Sequence, residues 1–169
     1  MEEVDIIDEN NNVIGKTTKH EAHQKGLLHR CVTCVVKDNN GNWLFVKQAS
    51  DRQDAGQYVL PVGGHVSTGE TAEDAIERET LEEAGLKNLK FKYLNHIILN
   101  RFVIGRQENH YFILFEIHTS EKLILNHEAV SYISFSEEQL KTQLKLHPEE
   151  FGDSFHFFVK NIFTQFLSE

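Results

Sequence analysis

The sequence predicts an α/β fold, a mixed β-sheet held between helices. Three features carry the prediction. Short runs rich in aromatic and β-branched residues recur along the chain. Segments with helix-capping signals are interspersed among them. The third is bulk: 40% of the 169 residues are hydrophobic, 12 of them phenylalanine, enough for a core without disulfide or structural metal. No composition break and no Gly/Ser- or Pro-rich linker divides the chain, so one domain over residues 1–169 is expected.

The elements follow in order. VDIIDENNNVIGK (4–16) reads as two short strands around a polar turn. TTKHEAHQKG (17–26) reads as a short helix, with Thr18 and Glu21 at capping-box spacing and Gly26 as its stop. RCVTCVVK and WLFVKQ flank DNNGN as a hairpin. Cys31 and Cys34 lie three apart on the first of these strands, hence on opposite faces, and read as core thiols rather than a redox or zinc pair. ASDRQDAGQYVLPVGG (49–64) is a loop leading into a strand and a tight turn. A helix over 71–84 starts at Thr71 and Asp74 and stops at Gly85. FKYLNHIIL, RFVIG and HYFILFEIH are strands, and SEEQLKTQLK is a helix with Ser136 and Gln139 as its capping box. The Phe-rich end, about 153–167, places Phe155, Phe158, Val159, Ile162 and Phe166 at helical spacing. That stripe reads as a helix packed on the core, with a homodimer contact as the second reading.

A net charge of −9 and a pI of about 5.6 exclude a nonspecific grip on nucleic acid or anionic membrane. A polyanionic substrate would need a cation bridge. No apolar run approaches the ~18 residues of a membrane span, and the acidic start MEEVDIIDENN is unlike a signal or transit peptide, so a cytoplasmic protein is expected.

The chemistry concentrates in GHVSTGETAEDAIERETLEEAG. At about 100° per residue, Ala72, Ala75 and Ile76 form an inward stripe that Glu79, Glu82 and Glu83 continue. Clustered anions near a core repel one another and lose water. Arg78 lies to the side and is one guanidinium against three carboxylates, so a hard cation such as Mg²⁺ or Mn²⁺ is the better partner. The competing reading is a solvated acidic helix face.

Residues 64–86 resolve that choice, because Gly64, Glu70, Arg78, Glu79, Glu82, Glu83 and Gly85 stand at the spacing of the Nudix hydrolase signature, which this stretch resembles. Thr80 fills a position that is hydrophobic in the pattern. The resemblance implies an α/β/α sandwich and a metal-dependent hydrolase of phosphoanhydrides. It implies that Glu79, Glu82, Glu83 and the Gly63 carbonyl hold metal, one glutamate bearing the base, and that Glu70 and Arg78 orient loop and helix. Such metals screen a diphosphate and acidify water.

Residues 4–30 further resemble the N-terminal region of isopentenyl-diphosphate isomerases of the same superfamily, giving an isomerase-like extension over about 1–29. That resemblance puts His23, His29, His65 and Glu108 at the isomerases' metal-binding positions, with His110 where a glutamate would stand, a constellation for a second metal. The competing reading is structural histidines at a helix-to-strand junction and a loop. The isomerases' catalytic cysteine corresponds to Gly63, so the proton-transfer thiol is missing and isomerase is the runner-up.

Glu128 precedes a strand and helix as an extra glutamate often does in Nudix hydrolases, a metal ligand or base, with Glu108 and Glu116 behind it. The implied substrate is a nucleoside diphosphate linked to another group. Motifs of the NADH, ADP-ribose and diadenosine polyphosphate subgroups are not found, and the match to the coenzyme A subgroup is loose. Arg52 and Arg101 are candidates for gripping phosphate through bidentate contacts. Trp43, Phe102, Tyr111 and Phe112 read as core in preference to base-stacking platforms. A non-catalytic sensor of nucleotide derivatives is a third reading, against which the intact glutamates stand.

Overall fold

The computed structural model describes residues 1–167. Strand β3 (His29–Lys37) is the axis of a nine-stranded mixed sheet. It pairs in parallel with β8 (Arg106–His118), from His29 opposite His110 to Lys37 opposite His118. The other ladders among the described strands are antiparallel. On the far side of β8 lies β7 (Lys92–Val103). Flanking β3 on its other side are β1 (Glu3–Ile7), β6 (Val62–His65) and β4 (Trp43–Gln48), with β2 (Val13–Thr18) beyond β1. Strands β5 (Tyr58–Val59) and β9 (Ala129–Phe135) pair with β4.

Alternation along β3 sorts the core into two layers. Val32, Cys34 and Val36 pack with Ala75, Ile76 and Ala84 of α2 (Ala72–Ala84). Val35 on the opposite face packs with Trp43, Phe45 and the helices α3 (Glu137–Leu146) and α4 (Asp153–Asn161). The predicted sheet between helices is thus present. A further helix, α1 (Lys19–Lys25), is capped by Thr18 and closed by Gly26 at φ 64°. The two cysteines are free and buried, and lie on opposite faces of β3 as expected. Burial pushes both thiols up, which removes thiolate chemistry.

Two elements depart from the sequence reading. FKYLNHIIL and RFVIG form one strand, because the ladder with β8 continues to Val103 and the turn is Ile104–Gly105, both at positive φ. The Phe-rich helix ends at Asn161, and a 3₁₀ turn at Thr164–Phe166 follows. The break at Ile162 swings Phe163 and Phe166 onto Trp43, with ring centroids 5.2 and 5.1 Å away. The phenylalanine stripe is buried in the chain's own core, so it leaves no apolar face for the homodimer contact envisaged on it.

Phe155 anchors this layer, its ring 4.8 Å from Phe45 in edge-to-face contact. Phe155→Ala is expected to cost ~3–5 kcal/mol, read as a shifted urea midpoint at unchanged slope.

Candidate functional site

The glutamate-bearing helix is placed by its buried stripe. Ala75, Ile76, Thr80 and Ala84 face the sheet. Thr80 fits a hydrophobic position because its hydroxyl donates to the Ile76 carbonyl at 2.6 Å, leaving the methyl to pack. Gly85, at φ 67°, closes the helix with its N–H on the Leu81 carbonyl.

One turn apart, Glu79 and Glu83 turn toward β6. The Gly63 N–H donates to Glu83 Oε2 at 2.7 Å. Gly64 lies so close that a Cβ there would meet Glu79 Oε1 at 2.1 Å. Glu82 is instead 56% exposed at the mouth, because the helix turns it outward, so only two of the three glutamates are half-buried. Arg78 organises the group. It grips both oxygens of Glu70 at 2.9 Å and donates to the His65 carbonyl at 3.0 Å and to Glu79 Oε1 at 2.6 Å. Glu70 also accepts from the Ser67 N–H, so Arg78 and Glu70 lock the loop onto the helix. Hydrogen bonding from Arg78 holds the Glu70 carboxyl below its usual range. Burial, reinforced by Glu79 and Glu82, pushes Glu83 up to about 8, and Glu79 is raised by burial despite Arg78. Hard oxygen donors crowded in this way fit a divalent cation.

Gly64→Ala is expected to lower turnover about 100-fold in a folded protein, since a ~1 Å misplacement of a site group has that effect; steady-state rates beside a circular dichroism melt would check it.

Gly63, Gly64, Arg78, Glu79, Glu82 and Glu83 line a cavity of about 520 Å³. Across it, Glu128 and Arg52, which sequence reading gave separate roles, form an ion pair with each other. Backbone bonding ties their loops, the Ala49 N–H donating to the Glu128 carbonyl at 2.9 Å.

Beside the carboxylates the structure gathers His23, His29, His65 and His110, with one ligand nitrogen of each within 4.8 Å of the others. They come from α1, the start of β3, β6 and β8, elements joined only by the tertiary fold. His23 Nε2 lies 3.1 Å from His110 Nε2 and 3.2 Å from His65 Nε2. His29 Nδ1 bonds the Leu27 carbonyl at 2.7 Å, which leaves its buried Nε2 without a partner. Burial lowers all four, His23 to about 4, so the cage is neutral near pH 7. Converging neutral imidazole lone pairs, one orphaned, are a donor set that fits a metal.

Glu108, expected in this set, stands outside it. It is 2% exposed, and both its oxygens accept from arginines, Oε2 from Arg101 at 3.0 Å and Oε1 from Arg106 at 2.6 Å. Glu116 lies outside the cavity lining and is paired with Lys37 and His118. Trp43 and Tyr111 are core, as read, and Phe112 is half-buried in the cavity wall. Phe102 is 72% exposed at the hairpin end, because β7 carries it past the body of the sheet. Sequence reading missed Arg106 and Asp54, since no motif marks a residue whose role depends on a partner 47 positions away, as Asp54's does on Arg101.

Residues 27–155 match the family model described as NUDIX domain. A curated protein of Photorhabdus laumondii, Isopentenyl-diphosphate Delta-isomerase 2, is 36% identical over 113 residues, 64% of this chain and 63% of that protein. An uncharacterised Nudix hydrolase of Streptomyces coelicolor is 38% identical over 102 residues, 54% of each. The chain therefore spans less than two thirds of the length of these curated relatives. The crystal structure of DR0079 from Deinococcus radiodurans superposes with a TM-score of 0.75 at 17% identity, covering 95% of this chain and 99% of that one, a likeness of fold.

Proposed function

The chain belongs to the NUDIX family, and from that membership we propose that it is a metal-dependent pyrophosphohydrolase acting on a nucleoside diphosphate linked to another group. The observation that supports the reading most is the pairing of Glu79 and Glu83 against the Gly63–Gly64 backbone, held there by the Arg78–Glu70 lock. Glu79, Glu82, Glu83 and the Gly63 carbonyl would hold Mg²⁺ or Mn²⁺, which supplies charge neutralisation of the diphosphate and an acidified water. Glu70 and Arg78 keep the loop from shifting during turnover. Glu128, paired with Arg52, becomes available as a base or ligand when Arg52 turns to a substrate phosphate, and Arg101 offers a second guanidinium to the cavity.

The histidine cage is read as a second metal site. Four imidazoles without a carboxylate suit zinc, cobalt or nickel better than magnesium. Cobalt titration should give visible bands of a four-nitrogen site in the wild type and none in His23→Ala; identical spectra would remove the site.

The function itself is tested by chromatography of the products formed with Mg²⁺ and then Mn²⁺, a mononucleotide and its phosphorylated remainder. The panel is nucleoside triphosphates, dinucleotides, nucleotide sugars and isopentenyl diphosphate, with Glu83→Gln alongside. Cleavage of one class that disappears in the variant supports the hydrolase. Isomerisation of isopentenyl diphosphate, or a nucleotide bound intact, replaces it by the isomerase or sensor reading.

A further inference from the structure

Two arginines at one end of the cavity are held by two buried carboxylates. Asp54 is 6% exposed and Glu108 2%. Arg101 donates from Nη1 to Asp54 Oδ1 at 3.3 Å and from Nε to Glu108 Oε2 at 3.0 Å. Arg106 donates from Nε and Nη2 to Glu108 Oε1 at 3.0 and 2.6 Å. Burying such a chain of charges costs folding free energy that an apolar wall would not. Its effect is to fix two guanidiniums. Each has five N–H donors and gives two to these carboxylates, and both side chains line the cavity.

Register places this pair away from the glutamates. Gly63 and Leu114 both lie beside Thr33, on its two sides. Glu108 is six residues from Leu114 along β8, a run of roughly 20 Å of backbone at ~3.3 Å per residue, so the arginine pair and the glutamates are carried at different levels of the sheet. Among the described residues the cavity lining has no Trp or Tyr, and its aromatic members are Phe112, Phe155 and Phe158.

We propose that Arg101 and Arg106 form an anion subsite for a second phosphate of the substrate, carried on the group beyond the scissile diphosphate. The assignment rests on the hydrolase reading for the word scissile, and on geometry alone for the anion. Asp54 ties the subsite to the 49–57 loop, and Glu108 to the sheet, so the arginines are preorganised rather than ordered by the ligand. The second phosphate has two sources, a phosphomonoester on the linked group or a further phosphate of a linear chain.

The experiment compares substrates that differ by one phosphate. NADP⁺ against NAD⁺ and coenzyme A against its 3′-dephospho form test the monoester, and adenosine tetraphosphate against triphosphate tests the linear chain. Wild-type protein should favour the phosphate-rich member of one pair in kcat/KM, and Arg106→Gln should lower that ratio about 10-fold, the scale of one charge-assisted contact. Arg106→Lys should recover part of it. A ratio that the glutamine variant leaves unchanged in every pair overturns the subsite. Inorganic phosphate is titrated in parallel into metal-free protein, following the arginine Nε–H resonances. Shifts of Arg101 and Arg106 that vanish in Arg106→Gln are expected, and no shift in the wild type overturns the proposal. Because the titration needs neither metal nor turnover, phosphate binding without cleavage of any substrate would refute the hydrolase reading and keep the subsite.

Discussion

Glu83→Gln is expected to lower metal-dependent turnover about 10³-fold or more while the metal-free protein stays folded. Glutamine keeps the shape and an oxygen for the Gly63 N–H, which donates to Glu83 Oε2 at 2.7 Å, and removes only the negative charge. A lost metal-ligand charge acts on the transition state, where charge stabilisation is worth several kcal/mol. The same substitution has a signature in stability. With its folded value pushed up to about 8 from 4.5, Glu83 holds a proton in the folded state that the unfolded chain has released. Its favourable contribution is complete below about pH 4.5 and is lost as pH rises through about 8. Metal-free wild type should therefore lose stability from pH 6.5 to 8, with a slope of up to ~1.4 kcal/mol per pH unit, and Glu83→Gln should flatten it. Urea midpoints against pH, with and without Mg²⁺, read this. Undiminished turnover in the variant would sink the role given to Glu83.

The second large effect is at acid pH and belongs to the histidine cage. All four histidines titrate below the ordinary 6.5, chiefly because burial disfavours their charged form, and in His23 the value is about 4. For groups depressed in the folded state, the contribution is present above the unfolded value and lost as pH falls through the folded one. Stability of the metal-free protein should thus drop from about pH 6.5 toward 4, each histidine adding up to ~1.4 kcal/mol per pH unit. Each kcal/mol is about 2–4 °C in Tm for a chain of this size. The carboxyls held low, Glu70 and Glu116 among them, respond only below about pH 4.5, whereas Glu79 and Glu83, held high, oppose the fall between 6.5 and 5. The histidine share is therefore read as the difference between wild type and a histidine variant. His110→Gln should shallow the fall. A pH 7-to-5 profile that His110→Gln leaves unchanged would show that this ring is not held neutral by the fold.

Local signals proved the most readable. The N-caps at Thr18, Thr71 and Ser136 all form, because a cap depends on residues three apart. Ser136 and Gln139 make the full reciprocal box, whereas Glu21 turns its side chain to Thr17 and Lys25, which offer a hydroxyl and a charge. The length of β7 and the break after α4 were misread, since each is decided by a distant partner, β8 for the strand and Trp43 for the helix end. Glu82 was read as facing inward with Glu79 and Glu83. One helical periodicity cannot say how wide the covered stripe is, which depends on how far β6 extends over it.

The order of Gly64, Glu70, Arg78, Glu79, Glu82, Glu83 and Gly85 by itself determined the family and the carboxylate site, because that site is built by one loop and one helix whose spacing is written in consecutive residues. Only the tertiary structure decided that the four histidines meet without Glu108, which answers to Arg101 and Arg106 instead, and that Arg52 holds Glu128. The physical reason is reach. Propensity, capping and periodicity act over a few residues, whereas these contacts depend on strand register and on charges meeting across the sheet, where burial and the nearest counter-charge select the partner.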